Sequence, residues 1–271
     1  MKPRIVLQSI AAAVAVMAAG VASATPVYPD FTVNTTALGG GGSLVPFTAN
    51  DISGQYHEQL TFTSATTFTV ALNFTAQGFN YDDTNPALTT SYNAAQTGLG
   101  SNYGLLALFN GTGTYSTVGG VTSFNLNPGG ALSFTYDKGA LATFDAPAAP
   151  GASYTINSHG DVLTLLGSGN ATAGAGSESC TAPNLCGSFG QASTFALTGP
   201  GSSFFVSPMP FYSITMQSGQ FEGFPVVVGT TVTSSGSLNA VFGTVPEPAE
   251  LGLVGVALLG LGLALKRRRT L

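Results

Sequence analysis

Thr67-Phe68-Thr69-Val70-Ala71-Leu72-Asn73-Phe74-Thr75 decides the fold class. Phe68, Val70, Leu72 and Phe74 fall on one face, and Thr67, Thr69, Asn73 and Thr75 on the other. Strict period-2 alternation over nine residues, rich in β-branched and aromatic side chains, is the pattern of a half-buried strand. Leu60 and Phe62 begin the same pattern just upstream. It recurs downstream in Ser123-Phe124-Asn125-Leu126, Leu132-Ser133-Phe134-Thr135-Tyr136, Tyr154-Thr155-Ile156 and Val162-Leu163-Thr164-Leu165. Further copies are Thr194-Phe195-Ala196-Leu197, Tyr212-Ser213-Ile214-Thr215-Met216, Thr230-Thr231-Val232-Thr233 and Leu238-Asn239-Ala240-Val241-Phe242.

Turn signals separate these segments: Asn110-Gly111, Asn127-Pro128-Gly129-Gly130, Asp137-Lys138-Gly139, Ser218-Gly219 and Ser235-Gly236. Leu126 to Leu132 reads as a hairpin. The glycine-rich stretch 167–176 reads as a long loop, and 39–43 as a flexible segment. No window of the body shows a sustained 3.6-residue period. Many short antiparallel strands predict an all-β fold, a single antiparallel β-sandwich or jelly-roll-like domain over residues 25–244.

Charge is scarce and unevenly placed. Only 7% of residues are charged, and the polar surface falls to Ser, Thr, Asn and Gly. Between Thr25 and Val245 the only base is Lys138, against ten acids: Asp30, Asp51, Glu58, Asp82, Asp83, Asp137, Asp145, Asp161, Glu178 and Glu222. The body therefore carries a net charge of roughly −9. One base cannot neutralise a phosphate backbone, so nucleic acid is excluded as a partner. An anionic membrane surface is disfavoured for the same reason.

The ends read as targeting devices. Residues 1–24 have a basic start (Lys2, Arg4), an apolar core over 5–21 and the small-residue site Ala22-Ser23-Ala24, the parts of a secretory signal. The mature chain is expected to begin at Thr25. Residues 245–271 begin Val245-Pro246-Glu247-Pro248. An apolar run over 251–265 follows, and then Lys266-Arg267-Arg268-Arg269. As a helix, that run spans about 22 Å, short of the ~30 Å hydrocarbon core. The basic cluster is expected to stay cytoplasmic, which puts the body outside. Pro246 and Pro248 hold the motif extended.

In an exported chain, Cys180 and Cys186 read as a local disulfide, worth roughly 2 kcal/mol in the chain-entropy model.

The tail resembles the PEP-CTERM sorting signal of Gram-negative bacteria in motif, order, spacing and C-terminal position. That resemblance implies processing near Pro-Glu-Pro by a membrane-embedded exosortase, transient inner-membrane anchoring through 251–265, and association with exopolysaccharide production. Body segments extend the likeness: Phe31-Thr32-Val33-Asn34 with Ala37-Leu38-Gly39-Gly40, Gly54-Gln55-Tyr56, Gly98-Leu99-Gly100-Ser101-Asn102-Tyr103-Gly104-Leu105, Cys186-Gly187-Ser188-Phe189-Gly190-Gln191, and Phe211-Tyr212 with Gln217-Ser218-Gly219-Gln220. These resemble the flocculation-associated PEP-CTERM proteins of floc-forming bacteria. The likeness implies a surface or extracellular-matrix protein that holds cells together with exopolysaccharide in flocs and biofilms. It implies no catalytic residue and no cofactor.

The body offers little catalytic chemistry. His57-Glu58 opens a His-Glu-x-x-His zinc pattern, but Thr61 stands at its fifth position. His159-Gly160-Asp161 supplies a base and an orienter, yet no Gly-x-Ser-x-Gly elbow accompanies it. Glu58 with Glu222 is one of several acid pairs open to glycoside hydrolysis, and nothing singles it out. Asp82-Asp83-Thr84-Asn85 offers oxygens to Ca²⁺ but lacks the Asp-x-Asp-x-Asp-Gly rhythm and reads as a solvated loop. Tyr81, Tyr92, Tyr103 and Tyr115 are the candidate exposed rings for stacking on sugars. A lectin-like module and, behind it, a secreted polysaccharide-modifying enzyme are the alternatives to the matrix role.

Overall fold

The computed structural model describes residues 28–81, 90–179, 185–218 and 221–243, with the backbone alone at 185–186 and 221–222. In chain order, β1 (Phe31–Val33), a 3-10 turn (Thr35–Leu38) and β2 (Phe47–Ala49) precede two long strands, β3 (Asp51–Phe62) and β4 (Thr67–Tyr81). Next come β5 (Thr90–Tyr92), helix α1 (Ala94–Thr97), β6 (Tyr103–Val118), β7 (Val121–Leu126) and β8 (Ala131–Lys138). The short pair β9 (Thr143–Asp145) and β10 (Thr155–Asn157) leads into β11 (Val162–Glu178), β12 (Leu185–Ser193) and β13 (Ala196–Leu197). Helix α2 (Gly199–Phe204), β14 (Phe205–Ser207), β15 (Ser213–Ser218), β16 (Phe221–Glu222) and β17 (Thr231–Gly243) finish the order.

The fold is all-β, antiparallel and sandwich-like, as the alternation predicts. Its main sheet also closes on itself. Pairing runs β3–β4–β6, on to β7 and β8, then β11, β12, β15 and β17, and back to β3. Closure satisfies the backbone groups that an open sheet would leave at its edges. The decisive segment behaves as its alternation requires. Phe68, Val70, Leu72 and Phe74 are buried in the interior, with Tyr56↔Phe74, Leu60↔Val70 and Phe62↔Phe68 in register across β3 and β4.

The glycines depart from the sequence reading. Stretch 167–176 is not a loop but the middle of β11, hydrogen-bonded to β8 and β7 on one side and to β12 and β13 on the other. A Cβ on Gly169 would lie 1.7 Å from the Thr194 carbonyl oxygen. The glycine is there because two backbones meet, not because the chain turns. Asn110-Gly111 and Ser235-Gly236 likewise lie inside β6 and β17.

Leu126 to Leu132 is not a hairpin. β7 and β8 run in the same direction, end to end, and both pair with β6 and with β11. Asn127-Pro128-Gly129-Gly130 is an irregular step within one line of strand. The tight hairpin lies at Gly119-Gly120 instead, where φ values of 62° and 83° match the two left-handed positions of a type I′ turn.

Segment 39–43 is packed rather than flexible. Gly40 is buried against the stacked rings of Tyr103 and Tyr136, whose centroids are 5.0 Å apart, and Asn102 donates to the Gly41 carbonyl.

Aromatic clusters fill the two ends of the interior. β14, β1 and β2 form a small sheet over one end. There Phe31, Phe205, Phe211 and Phe242 meet at centroid distances of 4.9–6.5 Å, mostly edge to face. At the other end Phe224 sits between Phe62 and Phe124. Its N–H donates to Glu178 Oε1 at 2.9 Å, which pins the plug to the end of β11. Burial raises the Glu178 carboxyl above its ordinary range, and the Phe224 N–H opposes that shift.

Candidate functional site

The excursion from Gly139 to Asp161 creates the site. It leaves β8, forms the β9–β10 pair (Thr143↔Asn157, Asp145↔Thr155) and returns to β11. Rather than projecting into solvent, it lies across the outer face of the wall. Asn110 Nδ2 donates to Ser153 Oγ at 2.8 Å, and a Cβ on Gly151 would sit 3.2 Å from Thr69 Oγ1. This cover explains why Ala71, Asn73, Leu106 and Thr135 are buried although their parity turns them away from the core.

Polar contacts fix the root of this flap. Ala142 N donates to Asp137 Oδ2 at 2.9 Å, and Leu141 N to Asp161 Oδ2 at 3.0 Å. Burial raises the Asp137 carboxyl, the Ala142 N–H opposes the shift, and the neighbouring Asp161 carboxyl adds to it. On the return, His159 Nε2 pairs with Thr143 Oγ1 at 2.7 Å. His159-Gly160-Asp161 thus serves the flap root. Its imidazole meets a threonine on the flap, not a serine nucleophile.

Between flap and wall lies a cleft of about 730 Å³. The wall gives it Gln55, His57, Asn73 and Thr75 from β3 and β4, and Thr233 and Ser235 from β17. The flap gives it Thr143, Phe144 and Tyr154. Hydroxyl, amide and imidazole groups with the rings of Phe144, Tyr154 and Phe224 make a surface for a polyhydroxylated ligand.

Alternation along β3 separates His57 from Glu58. His57 is exposed, whereas Glu58 turns inward between Ser234 of β17 and Leu72 of β4. Glu58 lines the cleft and also an internal cavity of about 30 Å³, whose opposite wall includes Phe189 and Gln191. That volume suffices for about one water. Glu58 is 6% exposed, and desolvation pushes its carboxyl up to about 7. Its charge is felt on both sides of the strand. Burial first and Glu58 second raise the Tyr56 phenol to about 12, and the same two causes, in the same order, raise Tyr154.

Among the described residues, β15 pairs with β17 over residues 238–243. Along the remaining half of β17, Gly223 and Phe224 line the cleft beside Thr233, Ser234 and Ser235.

The sequence candidates fare unevenly. Tyr103 and Tyr115 are buried core residues of β6, and Tyr81 and Tyr92 are half-buried on β4 and β5, so none is a loop-borne stacking ring. Tyr154 occupies the cleft instead. Its strand-like neighbours mark it as β, and only the path of the flap brings it over β3. Glu58 reaches the site, while the side chain of its suggested partner Glu222 lies outside the described residues. No group of three or more His, Cys, Asp or Glu is placed to hold a metal among the described residues. Asp82-Asp83-Thr84-Asn85, the signal site Ala22, Ala24 and Thr25, the motif Val245, Pro246, Glu247 and Pro248, and the cluster Lys266, Arg267, Arg268 and Arg269 all lie outside the described residues. So do Cys180 and the side chain of Cys186, and with them the expected disulfide. Among the described residues no helix is long and apolar enough to cross a membrane, and the run 251–265 is not among them.

Comparison with known proteins finds no matching family model, no matching curated protein and no matching solved structure.

Proposed function

We propose that this chain is an exported surface or extracellular-matrix protein, sorted by an exosortase-type system, that holds exopolysaccharide in the cleft beneath the 139–161 flap and so helps bind cells into flocs or biofilm. The cleft is the observation that carries the reading: about 730 Å³, open, and lined by the neutral hydrogen-bonding groups that a glycan needs. Two sequence features support the same reading. The acidic body argues against nucleic acid as a partner, and the ends resemble export and sorting signals. One cleft per chain binds a sugar weakly. Many copies on a cell or in a matrix raise the effective affinity by avidity.

The cleft also favours a narrower form of this reading, a lectin-like site with defined specificity, over contact spread across the polar outer faces. Retention of purified protein on the host's own matrix polysaccharide tests both forms. Full-length protein is expected to be retained above an albumin control, and Tyr154→Ala with His57→Ala is expected to cut retention several-fold. Retention equal to albumin refutes the glycan reading. Retention that the double substitution leaves unchanged refutes the cleft as its seat.

A further inference from the structure

Glu58 stands out within the cleft. Among the described residues it is the only acid in the lining. It accepts no hydrogen bond and pairs with no cation among them, although only 6% of its surface is exposed. An isolated buried carboxylate is costly, and a protein keeps one there only as a neutral acid or against a counter-charge. Among the described residues no lysine or arginine supplies that counter-charge. Lys138 is the sole base of the body, and its ammonium lies beside Gly39, at the packed 39–43 segment.

We infer that the cleft takes an amino sugar with a free, protonated amine, whose ammonium is held by the Glu58 carboxylate while the hydroxyl and amide groups of the lining receive the rest of the ring. The assignment rests on the glycan reading above and names the class of glycan. Three observations converge on it. No other acid, and no lysine or arginine, lines the cleft among the described residues. Glu58 lines the cleft beside Gly223, Phe224 and Ser234, and is within electrostatic reach of Tyr154 on the flap. The body charge of roughly −9 also draws a polycation in at long range and repels a uronic-acid polymer. A lone carboxylate lacks the six or more oxygens that Ca²⁺ collects, so a metal ion is the poorer occupant. An ammonium needs one carboxylate and a few neutral acceptors, and charge-assisted bonds of this kind are the strong ones in a desolvated site.

Among the described residues, Tyr56 of its own strand and Tyr154 of the flap feel the Glu58 charge, and His57 lies on the opposite face of β3. Leu72 of β4, Ser234 of β17, Gln191 of β12 and Phe224 complete its surroundings and do not titrate at accessible pH.

The test titrates purified full-length protein and its Glu58→Gln variant with three matched oligomers: free-amine glucosamine, its N-acetylated form, and a neutral glucose oligomer. Wild type is expected to bind the free-amine oligomer at least ~10-fold more tightly than the N-acetylated one, equivalent to about 1.4 kcal/mol. In Glu58→Gln that preference is expected to vanish. Equal wild-type affinities overturn the inference and leave the glycan reading standing. A preference that survives in Glu58→Gln also overturns it, because the diffuse negative surface then explains the effect. Binding of none of the three overturns the inference and removes the cleft as the seat of glycan binding.

A second measurement needs no variant. The ¹³C carboxyl titration of Glu58 in wild type is expected to move to lower pH on saturation with the free-amine oligomer and to stay put with the N-acetylated one. An unmoved titration in both refutes the contact.

Discussion

Replacing Glu58 by Gln is expected to stabilise the protein at neutral and alkaline pH and to leave it unchanged in acid. In the folded chain the carboxyl is pushed from its ordinary value near 4.5 to about 7 by burial. The folded state therefore holds its proton more tightly than the unfolded state does. Below about pH 4.5 both states are protonated, and the buried group is neutral and carries no ionisation cost. Between about 4.5 and 7 the unfolded chain gives up the proton and the folded one keeps it, so stability falls by about 1.4 kcal/mol per pH unit. Above about 7 the loss levels off at about 3 kcal/mol. Glutamine has a similar shape and no charge, so the variant escapes this loss. At pH 8 it should exceed wild type by about 3 kcal/mol, or about 6–12 °C in Tm for a domain of this size. At pH 4 the two should coincide. Thermal or urea unfolding of both proteins at half-unit steps from pH 4 to 8 gives the difference curve, and effects from Asp137 and Glu178 cancel in the subtraction. A difference that is the same at pH 4 and pH 8, or a variant less stable than wild type at pH 8, would refute the placement of this carboxyl.

Gly169→Ala should destabilise strongly, by about 2 kcal/mol or more, because its methyl would lie 1.7 Å from the Thr194 carbonyl oxygen. Gly190→Ala, whose nearest neighbour would be 3.9 Å away, should change unfolding by under about 0.5 kcal/mol, and equal effects at the two sites would contradict the pairing along β11. Phe224→Ala should cost about 3–4 kcal/mol in urea unfolding, since it empties the space between Phe62 and Phe124. A cost below about 1 kcal/mol would show that Phe224 does not plug the end of the interior. Intact mass of protein from the native host should show a chain starting at Thr25 and ending near Val245, with the tail retained when Pro246, Glu247 and Pro248 are replaced by alanine. An intact tail in both proteins would remove the sorting reading.

Part of the molecule is legible in the sequence. Alternation at 67–75 correctly names the inward residues Phe68, Val70, Leu72 and Phe74, because side-chain parity along a strand is a local property of the backbone. The balance of ten acids to one base gives the body its negative charge without any coordinates. Glycine is where the local reading fails. Gly119-Gly120 turns the chain, whereas Gly169 admits a neighbouring backbone, and the same residue type serves both needs. Only the identity of the neighbour separates them, and Thr194 is 25 positions away in sequence. The same holds for the step at Asn127-Pro128-Gly129-Gly130. A Pro-Gly-Gly cluster signals a break in the ladder but not whether the chain reverses, and that is decided by β6 and β11 flanking both β7 and β8.

The candidate site shows the same division. Sequence places Glu58 on a strand among many acids and Tyr154 on another, with nothing to join them. The excursion 139–161 lays Tyr154 over the outer wall, and the parity of β3 turns Glu58 toward the interior opposite Ser234 of β17. Sequence by itself determined the strand character, the inward faces and the sign of the body's charge, since each depends on a residue and its immediate neighbours. The closure of the sheet, the placement of the flap and the raised Glu58 carboxyl were decided by the tertiary structure alone, because desolvation and long-range pairing are set by residues that meet only when the chain is folded.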